Sequence, residues 1–245
     1  MASFLTALAF LTRIPVRSAI WTPEAIGRSA AMFPVVGALV GVAEVLILWM
    51  CRRVMPPTLT ATVIVLTGIV LTGALHLDGL ADMADGFGGG RTRDDVLRIM
   101  RDHQIGTYGA IALIMTLLLQ ISAIASLIER DAAARFLVVA PAASRWAMVL
   151  LGRRLPYARP EPGLGRALTD HVRDREVWGS TVLVLVIATV VARWSGLVSL
   201  ALTLPLTAGL GFVCWRRIGG VTGDTFGATA VLCETVVLVA AVVQL

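Results

Sequence analysis

The feature that most constrains this chain is its succession of apolar stretches. They lie at about residues 29–50, 58–77, 108–128, 136–151, 179–192, 197–213 and 226–245. Several approach the roughly 20 residues that a helix needs to cross a hydrocarbon layer about 30 Å thick. In that medium the backbone must satisfy its own hydrogen bonds, which favours helices. Of the 245 residues, 57% are apolar and only 15% charged, against about 25% charged in a soluble domain. A soluble fold and a disordered chain are both excluded. The predicted fold class is all-α: one polytopic membrane helix bundle over residues 1–245, with about seven transmembrane helices and cytoplasmic loop helices. Residues 2–12 are too short to span and precede Arg13, Pro15 and Arg17, so a short N-terminal interfacial or re-entrant helix is expected there. The weakest span is 136–151, short and interrupted by Ser144 and Arg145.

All 21 basic side chains are arginines, and the net charge is +5. Without lysine, Schiff-base chemistry is ruled out. In a soluble chain the positive excess would suggest nucleic acid; here no nucleic-acid partner is expected, and the arginines read as orientation signals. Placing the N-terminus and segments 78–107, 152–178 and 214–225 on one side puts 15 arginines there and 5 opposite. That side is predicted to be cytoplasmic. Cys51, Cys214 and Cys233 have no metal-ligand spacing and receive no role.

The polar chemistry is concentrated in LHLDGLADMADGFGGG, residues 75–90. On a helix, Asp78, Asp82 and Asp85 fall at about 0°, 40° and −20° and share one face. Their mutual repulsion calls for a hard divalent cation such as Mg²⁺ or Mn²⁺, bound through oxygen. A solvated acidic face is the competing reading. His76 falls near 160°, opposite the carboxylates, which favours a structural or supporting role over metal ligation. Gly88 and Gly89, followed by Arg91, would let backbone N–H groups approach a phosphate, unless the run is only a flexible turn. Residues 92–104 read as an amphipathic helix with capping-box spacing at Thr92 and Asp95, carrying Arg98 and Arg101. GTYG, residues 106–109, opens the third span and offers Thr107 and a helix N-terminus to an anion. In loop 158–179, Arg166, His171, Arg173 and Arg175 either meet an anionic substrate or are simply solvated. Thr222 and Asp224 stand where the last span begins, as a helix cap or as a second edge of the site. Glu44, Arg145 and Glu234 lie within spans, where ionisable groups normally face the bundle interior.

HLDGLADMADGFGGG, MRDHQIGTYG and GGVTGDTFGA, in this order and spacing, resemble the cobalamin synthase (adenosylcobinamide-GDP ribazoletransferase) family. FLTRIPV (10–16), FPVVGALVG (33–41), PAASR (141–145) and GLG (163–165) look like the same family. The resemblance implies a multipass bacterial inner-membrane enzyme of the last stage of coenzyme B12 assembly. Its implied cofactor is Mg²⁺. Its implied partners are the bilayer and two small molecules, adenosylcobinamide-GDP and α-ribazole or its 5′-phosphate, with release of GMP. A homo-oligomer, or a complex with other B12-assembly enzymes, is a further expectation.

On this reading Asp78, Asp82 and Asp85 hold the metal, and Asp82, Asp85 and Asp102 carry catalytic roles, the last two as candidate bases. Substrate contacts are expected from His76, Gly88, Gly89, Arg91, Arg98, Arg101, Thr107, Ser144, Arg145, Thr222 and Asp224. Two other readings remain. A CDP-alcohol phosphotransferase making lipids would show DGxxAR, whereas Asp82 and Met83 take the AR positions. A transporter would use Glu44, Glu234 and Arg145 as its path, but the acid-rich segments gather on one predicted face.

Overall fold

The computed structural model describes residues 1–161 and 163–244. Among them the chain is helical, with one isolated bridge between Tyr157 and Val221. In order the helices are α1 (Ala2–Leu11), α2 (Pro23–Ser29), α3 (Phe33–Cys51), α4 (Pro57–Thr72), α5 (Leu75–Gly89) and α6 (Arg93–Ile99). They continue with α7 (Thr107–Glu129), α8 (Ala133–Arg154), α9 (Arg166–His171), α10 (Asp174–Ile218) and α11 (Gly223–Val243). Five stretches are long and apolar enough to cross a membrane: Pro23–Cys51, α7, α8, α10 and α11. The pair α4–α5, bent by 91°, makes a sixth if counted as one span. The chain is a multipass membrane protein, and α1 is too short to span, as expected.

The expected spans 179–192 and 197–213 are the two limbs of α10. Arg193 breaks that helix, with φ 53° and ψ −135°. A Cβ placed on Gly196 would lie 2.5 Å from the Ala188 carbonyl oxygen. Eight residues along a straight helix cover about 12 Å, so the chain doubles back here and needs a glycine at the contact. The expected last residue of the final span, Leu245, lies outside the described residues.

The weakest expected span turns out to be the centre of the bundle. Helix α8 runs for 22 residues, most of them buried. Ser144 and Arg145, which interrupt the hydropathy, point inward and are 0% and 4% exposed. Gly37 and Gly41 let α3 lie directly on α8: Cβ atoms there would stand 2.2 Å from the Pro141 oxygen and 2.1 Å from the Leu137 oxygen. Small residues four apart are the common device for close helix crossing in membranes.

The expected span 58–77 ends early, at Thr72. Gly73 and Ala74 adopt left-handed φ values of 63° and 59°, which close α4 and redirect the chain into α5. The polar segment from residue 78 is largely helix, in α5 and α6. Arg217 donates to the Phe87 and Gly90 carbonyls at 2.8 and 2.7 Å. Arg93 donates to those of Ile218 and Ala158 at 3.0 and 2.6 Å. These bonds tie α5, α6, the 155–161 segment and the α10–α11 turn together at one end. At the other end Arg52 pairs with Asp131 at 3.2 Å, and Arg130 donates to the Val242 carbonyl at 2.9 Å. The segments placed on opposite sides by their arginines thus also stand at opposite ends of the bundle.

Candidate active site

Asp78 and Asp82 project from α5, exposed and half-buried respectively. Two glycines bring α11 against this helix. A Cβ on Gly79 would lie 2.6 Å from the Asp224 carbonyl oxygen, and one on Gly227 would lie 3.1 Å from the His76 oxygen. The close approach sets the first turn of α11 beside the aspartate face of α5. The Asp82 carboxylate consequently feels the like charges of Asp224 and Asp78 and the opposite charge of Arg159. Three carboxylates, two on α5 and one on α11, form one polar face.

The last of those partners was missed in the sequence. Arg159 Nη2 donates to Asp224 Oδ2 at 2.8 Å and approaches the Met100 carbonyl at 3.4 Å. The side chains of this pair are only 15% and 20% exposed. Arg159 Nε is buried without a hydrogen-bond partner among the described residues. Its signal was faint: one arginine among several in a loop, with nothing local to distinguish it. Thr222, not Asp224, is the N-cap of α11, accepting from the Thr225 N–H at 3.3 Å and donating to Asp224 Oδ2 at 3.3 Å. Asp224 is thereby free to pair with Arg159, so the two expected site residues take distinct parts.

Asp85 departs from its expected role. Its Oδ2 accepts the Gly106 N–H at 2.7 Å, and its Oδ1 accepts the Gly109 N–H at 2.8 Å. Both oxygens are engaged by the N-terminus of α7, where anions are favoured. The anion site expected around Thr107 exists, but the protein's own carboxylate fills it. Asp85 therefore does not complete a three-aspartate metal set, and it is poorly placed as a base. Among the described residues, no group of three or more acidic, histidine or cysteine side chains is assembled to hold a metal. Asp85→Ala would leave two N–H groups unpaired, at about 1–3 kcal/mol for each charge-assisted bond. The expected result is a fall of several degrees in the unfolding temperature in detergent, with Asp85→Asn falling less.

Gly88 and Gly89 also differ from expectation. They belong to the last turn of α5, so their N–H groups lie in helical hydrogen bonds and cannot cradle a phosphate. The glycines serve packing: a Cβ on Gly88 would sit 2.5 Å from the Tyr108 ring, and one on Gly86 2.4 Å from Met100.

Helix α6 begins with the anticipated capping box between Thr92 and Asp95. Those bonds to Thr92 hold the Asp95 carboxyl below its usual range. Arg91 is exposed, Arg98 stands 3.8 Å from Asp95, and Arg101 pairs with Glu161. Asp102 is exposed on the turn after α6 and accepts the Gln104 N–H at 3.1 Å. That turn lies between two anchors to the site, Met100 at Arg159 and Gly106 at Asp85. His76, Ser144 and Arg145 are placed elsewhere. His76 and Arg145 line a cavity between helices whose walls do not include Asp78, Asp82 or Asp224. Ser144 is bonded to Arg145 and Glu234 there, at 2.8 and 3.2 Å.

This geometry defines a polytopic membrane protein that presents a carboxylate face, backed by arginine, at one end of its helix bundle. The family model for cobalamin-5-phosphate synthase matches residues 3–242, and the chain belongs to that family. A Pseudomonas aeruginosa (strain UCBPP-PA14) protein named adenosylcobinamide-GDP ribazoletransferase is 43% identical over 249 residues, covering 98% of this chain and 97% of that one. Proteins of the same name from Syntrophobacter fumaroxidans and Chlorobaculum tepidum are 39% and 37% identical, each covering 97% of this chain and, respectively, 97% and 93% of theirs. No solved structure matches the chain.

Proposed function

We propose that this chain transfers the adenosylcobinamide phosphate group of adenosylcobinamide-GDP to α-ribazole, or to its 5′-phosphate, at the cytoplasmic face of a bacterial inner membrane. Family membership and the names of its relatives support the reaction. The observation that carries the site is the contact of α11 with Gly79, which sets Asp224 beside Asp78 and Asp82. The ribazole hydroxyl oxygen attacks the phosphorus attached to cobinamide and forms a new P–O bond. The bond from that phosphorus to the bridging oxygen breaks, and GMP leaves with the electron pair. The hydroxyl proton passes to a carboxylate. Asp102 is the better of the two expected bases, because it accepts one N–H among the described residues whereas both Asp85 oxygens are engaged.

The residues present suit Mg²⁺. This ion is usually bound through one or two carboxylates plus substrate phosphates, not in a closed protein cage. Asp78 and Asp82, accessible and adjacent, would hold it. When bound it would neutralise pyrophosphate charge and the charge developing on the leaving phosphate. Arg159 holds Asp224 in place beside the two aspartates of α5. Arg91, Arg98 and Arg101 are exposed on and beside α6 and would add positive charge that steers an anionic substrate.

In detergent, with both substrates and Mg²⁺, GMP and the cobalamin product are expected in equal amounts. EDTA should abolish both, and added Mg²⁺ should restore them. Undiminished product in EDTA would remove the metal from the reading, and no product under any divalent cation would remove the reaction.

A further inference from the structure

Helices α3, α4, α5, α7, α8 and α11 line a cavity of about 50 Å³ that lies apart from Asp78, Asp82 and Asp224. Its polar lining is Glu44, Thr72, His76, Gln120, Arg145 and Glu234. A polar cavity needs roughly 10–15 Å³ to admit one water-sized species, so this one has room for a small ion and a water.

Two carboxyl side chains share it with one guanidinium. Arg145 is paired with Glu234 and bonded to Ser144 at 2.8 Å. Glu44 is 5% exposed, and its carboxylate makes no hydrogen bond among the described residues. Helix α4 leaves room for it: a Cβ on Gly68 would lie 2.6 Å from Glu44 Oε1. With both carboxylates ionised, two negative charges face one guanidinium in the bundle interior, a cost that protonation of Glu44 or a bound cation would remove. A second observation also points to an occupant. His76 is 5% exposed, lines the cavity, and its Nε2 has no hydrogen-bond partner among the described residues.

Oxygen acceptors remain available around the gap. Gln120 Nε2 donates to Thr235 Oγ1 at 3.0 Å, which leaves the amide oxygen unspent. Thr72 Oγ1 donates to the Gly68 carbonyl at 2.8 Å and keeps its lone pairs. Glu234 engages Arg145 and Ser144 through Oε2, so Oε1 remains.

We propose that this cavity is a Na⁺ site. The ligands are the Glu44 and Glu234 carboxylates with the Gln120 amide oxygen and the Thr72 hydroxyl, and a water donates to His76 Nε2. One positive charge closes the balance of the cavity. A divalent ion would overshoot it, and Mg²⁺ gives up its water reluctantly. The ion would tie α3, α4, α7 and α11 together beneath the aspartate face.

Thermal unfolding of the full chain in detergent tests this, with NaCl exchanged for choline chloride at constant ionic strength. An ion bound only by the folded state raises the unfolding temperature in a concentration-dependent way. The wild type should respond to Na⁺ and saturate. Glu44→Gln should need at least about tenfold more Na⁺ for the same rise. In choline alone it should be no less stable than the wild type, because it no longer carries an unbalanced buried charge. Thr72→Val, which keeps the shape and removes one oxygen, should also weaken the response. A wild type indifferent to Na⁺, whether or not acidification stabilises it, overturns the proposal. So does a Glu44→Gln protein with an unchanged Na⁺ response.

Discussion

Asp82→Ala is expected to lower turnover by about a thousandfold or more while leaving the folded protein as stable as the wild type, or more so. Loss of one preorganised group that stabilises transition-state charge typically costs about 10²–10³ in rate, and removing the proposed metal ligand should cost at least as much. The stability change runs the other way. Asp82 stands among the like charges of Asp224 and Asp78, with Arg159 as the compensating cation. Deleting it relieves repulsion that the fold otherwise tolerates for the sake of function. Single-turnover assay and thermal unfolding on the same preparation check both halves. Full activity would remove Asp82 from the chemistry, and unfolding would make it a structural residue.

Arg159→Ala is expected to be nearly as damaging, by a different route. It strands Asp224, whose side chain is 20% exposed and bonded to Arg159 at 2.8 Å. Truncating one partner of a buried charge pair commonly costs about 2–5 kcal/mol. Asp224 would then turn toward solvent, and turnover should fall by about a hundredfold or more. Arg159→Lys should restore stability better than activity. The ammonium can pair with Asp224 but lacks the planar guanidinium that directs Nη2 to both Asp224 and the Met100 carbonyl. Equal loss of activity in the Ala and Lys variants, with stability regained in Lys, would place Arg159 against substrate. Wild-type activity in Lys would make it only a prop for Asp224.

Much of the architecture was legible in the sequence because bilayer length and local periodicity determine it. The apolar stretches, the common face of Asp78 and Asp82, the isolation of His76 from that face and the capping box at Thr92 all follow from spacing along a single helix. Contacts between helices were not legible in that way. GFGGG looks the same in sequence whether it cradles phosphate or packs against Tyr108 and Met100. The N-terminus of α7 reads as an open anion site until Asp85, more than twenty residues earlier, is seen to fill it. Ser144 and Arg145 lowered the hydropathy of α8 and made it seem marginal, whereas their pairing with Glu234 suits them to the bundle centre. The turn inside α10 rests on one residue, Arg193, whose positive φ has no sequence signature comparable to a glycine. Arg159 carries no local pattern, and its partner Asp224 lies 65 residues away.

In the proposed function Asp82 would hold the metal that neutralises the pyrophosphate, and exchanging its ligand atom tests this most directly. Asp82→Cys replaces a hard oxygen with a soft thiolate, which favours soft cations over Mg²⁺. Cobalamin formation should be nearly absent with Mg²⁺ and recover at least about tenfold with Cd²⁺, while Asp82→Ala recovers with neither. A Cys variant as active as the wild type with Mg²⁺, or one that Cd²⁺ restores no better than the Ala variant, would contradict the account.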